Sequence, residues 1–286
     1  MDKLRAQGLD PAYVQHVVDE ALAEDLGPST VDVTTEATIP AGRTGTADLV
    51  ARATGAVAGL AVAAAVFEAV GAALEPLVDE GTTVRRGDRL ATVTGPTRAL
   101  LTAERTALNL LCRLSGIATH TRRWADALDG TSATVLDTRK TTPGLRALEK
   151  YAVRAGGGTN KRLGLYDVAM VKDNHKLAAG SITAAYEAVR TAYPQIPVQV
   201  EVTTVAEAEE AVAAGATFLL CDNMSPALLR EVVVAVGGRA ELEATGGLTL
   251  EHVREYAETG VDYLSVGALT HSSPILDVAM DLRGGV

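Results

Sequence analysis

Residues 11 to 26, PAYVQHVVDEALAEDL, bring Val14, Val17, Val18, Leu22 and Leu26 close to one side of a helical repeat. This spacing predicts an amphipathic opening helix, ended by Pro28 and Ser29. From about residue 44 to 94 the rhythm shortens to Val/Ala/Leu runs broken by glycine. Here TGTADLVARATGAVAGL is followed by an alanine-rich helical stretch to Leu74 and then by VDEGTTVRRGDRLATVTG, where Gly81 and Gly87 permit tight turns between short strands. The stretch 100–114, LLTAERTALNLLCRL, predicts a strong helix that stops near Ser115-Gly116 and marks the passage into a second domain.

Beyond residue 130 a unit repeats: a short apolar run ends in a polar or charged residue, and an amphipathic helix follows. The runs are TVLDTRK ending at Lys140, DVAMVKDN ending at Asn174, VQVEV around Glu201, TFLLCDN around Asp222, AELEATGG ending at Gly247 and DYLSVGA ending at Gly267. Glu201, Asp222 and Glu243 follow one another at 21-residue intervals, which fits one strand plus one helix and predicts parallel β/α units. In a β/α barrel the C-terminal ends of all strands open on one face. Arg139, Lys140, Lys172, Glu201, Asp222, Gly246 and Gly267, far apart in sequence, should therefore meet at one mouth.

Composition narrows the class. A chain of 286 residues with 47% hydrophobic and only 3% aromatic content builds its core from Ala, Val and Leu, which suits helix-on-sheet packing and favours α/β. A net charge of -10 argues against nucleic acid or an anionic membrane as partner. Cys112 and Cys221 sit in apolar surroundings without metal-ligand spacing, so neither a zinc site nor a disulfide framework is expected. The N-terminus lacks a signal-peptide core and no run of about 18 apolar residues occurs, so a cytoplasmic location is expected.

Against the acidic average, residues 139–176 hold nine Lys or Arg and three Asp or Glu, which implies a locally held anion. Arg146, Lys150 and Arg154, on PGLRALEKYAVRAGG, are equally compatible with a solvated helix face. Arg139, Lys140, Lys161, Arg162 and Lys172, at strand ends or in glycine-flanked loops, are not. The planar guanidinium grips carboxylates at two points and lysine adds a mobile charge, so the mixture suits a ligand with several anionic groups. Gly156-Gly157-Gly158 reads either as close backbone approach to a ligand or as a helix stop. Glu201 and Asp222 end adjacent apolar strands, where a buried carboxylate is costly without a cation; contact with Mg²⁺-pyrophosphate or ribose is favoured over plain salt bridging. Thr245-Gly246-Gly247 and Ser265-Val266-Gly267-Ala268 end the last two strands, where barrels commonly bind phosphate through backbone amides.

At these residues the chain closely resembles the quinolinate phosphoribosyltransferase family. The likeness is carried by AERTALNLLCRLSGIAT (103–119), LDTRKTTPGLRALEKYAVRAGGGTNKRLGLYD (136–167), VKDNH (171–175), EVTT (201–204), CDNMSP (221–226), EATGGLTL (243–250) and YAETGVDYLSVGALTHS (256–272). The resemblance implies an N-terminal α/β sandwich over 1–115, to which a tail at 274–286 returns, and an incomplete TIM-like α/β barrel over 116–273. It further implies a homodimer with a shared active site, alone or within a larger assembly. Carried over by position, Thr138, Arg139, Lys161, Arg162 and Lys172 hold the pyridine carboxylates, with Arg105 reaching in from the other subunit. Lys140, Glu201 and Asp222 meet the ribose and pyrophosphate of the phosphoribosyl donor with Mg²⁺. Thr245, Gly246, Gly247, Ser265, Gly267, Ala268 and His271 complete the donor site. Lys140, Lys172, Glu201 and Asp222 form the catalytic set.

One position departs from the pattern: where the family usually reads Asn-His-Arg, this chain has Asn160-Lys161-Arg162. Lysine keeps positive charge near a carboxylate but loses the flat ring and its titration near neutral pH. Three alternatives follow from the residues: a related phosphoribosyltransferase for another aromatic acid, a Schiff-base aldolase using Lys172, and a non-catalytic anion-binding protein.

Overall fold

The computed structural model describes residues 2–284. The chain divides into two compact units, one formed by residues up to 122 with 141–157 and those from 270 on, the other by 123–140 with 158–269. The sequence places 141–157 with the barrel half, whereas its contacts group it with the first unit.

In the first unit, helices α1 (Asp2–Ala6), α2 (Pro11–Leu26) and α3 (Val33–Thr38) precede strands β1 (Thr44–Ala51) and β2 (Gly55–Ala56). Then follow α4 (Leu60–Ala69), β3 (Ala73–Pro76), β4 (Thr83–Val84), β5 (Arg89–Pro96), the long α5 (Thr97–Ala127) and α6 (Arg146–Ala155). The opening helix starts as expected, with the Asp10 carboxylate capping the Ala12 amide, but ends on Gly27 at φ 62° rather than on Pro28. The alanine-rich stretch leaves the helix at Ala69, and Ala73–Pro76 pairs antiparallel with β5. Its entry is fixed by Glu80, which accepts from the Gly59 and Ala61 amides at 2.9 and 3.3 Å and so satisfies donors that a helix start leaves open.

Ser115-Gly116 does not stop α5; the helix continues through both. The Ser115 hydroxyl bonds the amide and the carbonyl of Ala58, each at 3.0 Å, and Thr119 does the same for Ala56 at 2.9 and 3.3 Å. One helix face thus serves the backbone beside β2 in place of a neighbouring strand. A Cβ at Gly116 would overlap the backbone of Pro274 and Ile275, so the glycine permits close crossing. Gly156 is similar: it caps α6, and a Cβ there would overlap the Ala118 carbonyl. The helix-stop reading of that glycine run therefore fits the geometry at Gly156.

On α6 the solvated-face reading fails for Lys150, which is fully buried, because the helix turns it inward with Leu148 and Tyr151. Arg146 bonds the Thr141 hydroxyl at 2.9 Å, and Arg154 bonds the Gln7 carbonyl at 2.7 Å from an exposed position. All three belong to the first unit and not to the strand ends considered below.

The second unit is a six-stranded parallel sheet made of β6 (Thr134–Leu136), β7 (Ala169–Val171), β8 (Val198–Val202), β9 (Phe218–Asp222), β10 (Glu241–Thr245) and β11 (Tyr263–Ser265), in the order β6-β11-β10-β9-β8-β7. Every junction is parallel, and β6 and β7 are left as open edges, so this is a partial TIM-like barrel. Thr159 forms a bridge beside Leu136 at the β6 edge. Helices α7 (Asp173–Ala179), α8 (Ile182–Ala192), α9 (Val205–Ala213), α10 (Pro226–Val236), α11 (Val253–Ala257) and the short α12 (Ala268–His271) connect or follow the strands. Ser181, Thr204 and Ser225 each cap a helix N-terminus with a side-chain oxygen.

The chain ends in β12 (Val278–Leu282), which pairs antiparallel with β1 and completes the sheet order β12-β1-β5-β3 of the first unit. Among the described residues no helix is long and apolar enough to cross a membrane.

Candidate active site

Strand alternation decides which side chains of the second unit can cooperate. Leu220 pairs with Glu201 on one side and with Glu243 on the other, while Thr245 pairs with Asp222 and Ser265. Register partners in parallel strands share a face, and residues two apart return to it. Glu201, Asp222, Glu243, Thr245 and Ser265 therefore project from one face. Val200, Val202, Leu219, Cys221, Leu242, Ala244 and Leu264 occupy the other, where they are buried.

The acidic residues on the polar face are met by the basic residues that the sequence singles out. Lys172, just beyond β7, places Nζ 2.8 Å from Glu201 Oε2. Lys161 places Nζ 2.5 Å from Glu243 Oε1, with both side chains almost wholly enclosed. Arg162 donates to the Val168 carbonyl at 3.1 Å and to Met170 Sδ at 3.5 Å. Burial, and then the cation of Arg139, push its guanidinium below the usual arginine range. Lys161 in turn feels Arg162 and Lys172. Arg139, Lys161, Arg162 and Lys172 thus form one repelling cationic group, which an anion would relieve.

The loop carrying Lys161 is pinned by a residue that sequence reasoning passed over. Asp137, fully buried at the end of β6, accepts from Asn160 Nδ2 and from the Lys161 amide, both at 2.7 Å. Glu243 was likewise not singled out as a site residue. The criterion used for Glu201 and Asp222, an acid inside an apolar strand, applies equally to ELEAT and could have found it.

Lys140 is exposed, and its amide bonds Thr138 Oγ1 at 3.1 Å. Asp222 accepts from Asn223 Nδ2 at 3.0 Å. Asn223 itself takes the left-handed backbone at φ 53° and donates its amide to the Thr245 carbonyl. That side chain lies where a Cβ on Gly246 would have to go, and Gly246 has φ 94°, so only glycine fits at this strand end. Gly267 and Ala268 follow β11 after Val266. Arg105 is exposed on α5 and His271 is exposed at the end of α12, both in the first unit.

Four buried side-chain atoms at these strands have no hydrogen-bond partner among the described residues: Arg139 Nε, Gln199 Oε1, Glu243 Oε2 and Ser265 Oγ. Buried polar groups are seldom left so. Gln199, Glu243 and Ser265 share the polar face by strand register, and with the neighbouring cations they suit a polar, anionic ligand.

Comparison with known proteins agrees with this geometry. Residues 32–115 match the family described as quinolinate phosphoribosyl transferase, N-terminal domain, and 117–281 match its C-terminal domain. The nicotinate-nucleotide pyrophosphorylase [carboxylating] of Mycobacterium leprae is 48% identical over 93% of this chain and 95% of its own. A probable nicotinate-nucleotide pyrophosphorylase [carboxylating] of Bacillus subtilis is 41% identical over 94% and 93%. The solved nicotinate-nucleotide pyrophosphorylase of Francisella tularensis superposes with a TM-score of 0.92 at 34% identity, covering 96% of this chain and 98% of that one.

Proposed function

Given that this chain belongs to the quinolinate phosphoribosyltransferase family, we propose that its strand-end mouth binds quinolinate and the phosphoribosyl pyrophosphate donor side by side. The reaction is phosphoribosyl transfer with decarboxylation, giving nicotinate mononucleotide, pyrophosphate and CO2 for NAD synthesis. The single observation that carries the placement is the crowding of Arg139, Lys161, Arg162 and Lys172 around a polar sheet face.

Thr138 and these four cations hold the two carboxylates of the acid and aim the pyridine nitrogen at the anomeric carbon. As the bond to pyrophosphate breaks, its electron pair leaves with the pyrophosphate, and positive charge grows on the ribose. The Glu201 and Asp222 carboxylates stabilise that charge, and Lys140 attends the departing oxygens. The nitrogen, now alkylated and positive, stabilises the electron pair left on the ring when the 2-carboxylate departs as CO2; a proton then takes its place. Two carboxylates on neighbouring strands match what Mg²⁺ takes from a protein when phosphates complete its shell, so Glu201 and Asp222 would hold the metal that neutralises the leaving group. Thr245, Gly246, Gly247, Ser265, Gly267, Ala268 and His271 receive the 5-phosphate end of the donor.

Arg105 and His271 are assigned by family resemblance alone, and Arg105 acts in a homodimer from the partner subunit. The enzyme is placed in the cytoplasm. The deciding assay supplies purified protein with donor, Mg²⁺ and, separately, quinolinate, nicotinate and related acids. CO2 and pyrophosphate should appear with quinolinate; turnover of a different acid instead would move the enzyme to another substrate. If Arg105 crosses the dimer, mixing inactive Arg105→Ala and Lys172→Ala proteins should restore about a quarter of wild-type activity when subunits exchange at random. No recovery after proven exchange would exclude a shared site.

A further inference from the structure

Lys161 and Glu243 form an almost fully enclosed ion pair, with side-chain exposures of 7% and 0%. Lys172, whose side chain is 47% exposed beside Glu201, can turn toward a ligand and stay hydrated. Lys161 cannot: its amide is tied to Asp137 and its ammonium to Glu243. A lysine held so deeply keeps its proton only if a partner offsets the lost hydration. We propose that Glu243 is the positioning residue that holds Lys161 as a cation at a fixed place, and so sets how tightly the dicarboxylate acid is bound. This rests on the reading that quinolinate occupies the mouth.

The groups around Lys161 set the sign. Glu243 faces it from β10, Arg162 adjoins it, Lys172 faces it from beyond β7, and Asp137 on β6 holds its backbone. Burial, with Arg162 and Lys172, pushes the ammonium below the usual lysine range, while Glu243 pulls it up; the net displacement is downward. Cys221, behind Glu243, stays a neutral thiol because burial first, and Glu243 second, raise it to about 12. Removing the Glu243 charge takes away an upward influence, so Lys161 should lose its proton at lower pH. The site then loses a cation as pH rises and regains it as pH falls.

The test is Glu243→Gln, which preserves shape and removes charge, assayed from about pH 6 to 9. At the alkaline end KM for quinolinate should rise about tenfold with kcat little changed, the size expected for one charge-assisted contact, and KM should approach wild type on acidification. Lys161→Gln should show a raised KM without that pH dependence, and adding Glu243→Gln to it should cost nothing further. Glu243→Asp should restore part of the loss. A Glu243→Gln enzyme with wild-type KM at every pH, or with an equal loss at every pH, would overturn the proposal.

A readout that needs no substrate is the ¹³C-lysine NMR titration of the wild-type enzyme, which contains six lysines, beside that of Glu243→Gln. One resonance, assigned through Lys161→Arg, should titrate below the exposed lysines. A Lys161 whose midpoint is the same in wild type and Glu243→Gln overturns the coupling whatever the substrate is. A Lys161 whose midpoint falls in Glu243→Gln, in an enzyme that turns over no quinolinate, overturns the functional reading and sustains the coupling.

Discussion

Replacing Lys172 with alanine should lower kcat/KM for quinolinate about a hundred- to a thousand-fold, the usual loss when one charged group aimed at the reacting centre is removed from an active site. The fold should be little affected. The side chain is about half exposed, and the turn that carries it is held independently by its backbone amide, which donates to His175 Nδ1 at 2.9 Å. Glu201 is only 9% exposed, so losing the 2.8 Å contact leaves a buried carboxylate short of its cation and should lower the melting temperature without unfolding the protein. Arg139→Ala should behave in the same way. Steady-state kinetics on protein shown to be folded at the assay temperature provides the check; near wild-type rates would remove Lys172 from the catalytic set.

The largest expected loss of stability lies in the first unit. Glu149 is fully buried on α6 and accepts from Arg113 Nη2 at 2.8 Å, Arg113 Nε at 3.2 Å, the Thr142 amide at 3.0 Å and the Thr142 hydroxyl at 2.7 Å. Arg113 also donates to the Thr270 and Ser273 carbonyls. Glu149→Ala therefore strands a guanidinium and an amide at once, and breaking a buried pair from one side costs about 3–5 kcal/mol. Urea unfolding should show that loss as a lower midpoint with unchanged slope. Glu149→Gln, which keeps acceptors for Thr142, should lose less. A midpoint within error of wild type for Glu149→Ala would mean that water replaces the carboxylate freely.

The sequence conveyed the barrel well because its signal is local and periodic. VQVEV, TFLLCDN and AELEATGG became β8, β9 and β10, and the register of their pairing puts Glu201 and Asp222 on one face. What it missed depends on partners remote in sequence. Ser115 and Gly116 look like a helix stop until Ala58 and Pro274 are seen against them. Lys150 looks solvated until the buried side of α6 is known. Glu243 looks like an ordinary strand residue until Lys161 meets it, 82 positions away in sequence.

The return of β12 to β1 has a consequence for biosynthesis. Arg283 bonds Asp48 across 235 positions, so on the ribosome β1 waits roughly 10–50 s for its edge partner at ordinary elongation rates. Residues 158–269, by contrast, emerge as one uninterrupted block. A chain lacking β12 would thus leave an early-made strand uncovered and open to aggregation. β12 is a late-made cover for an early-made edge.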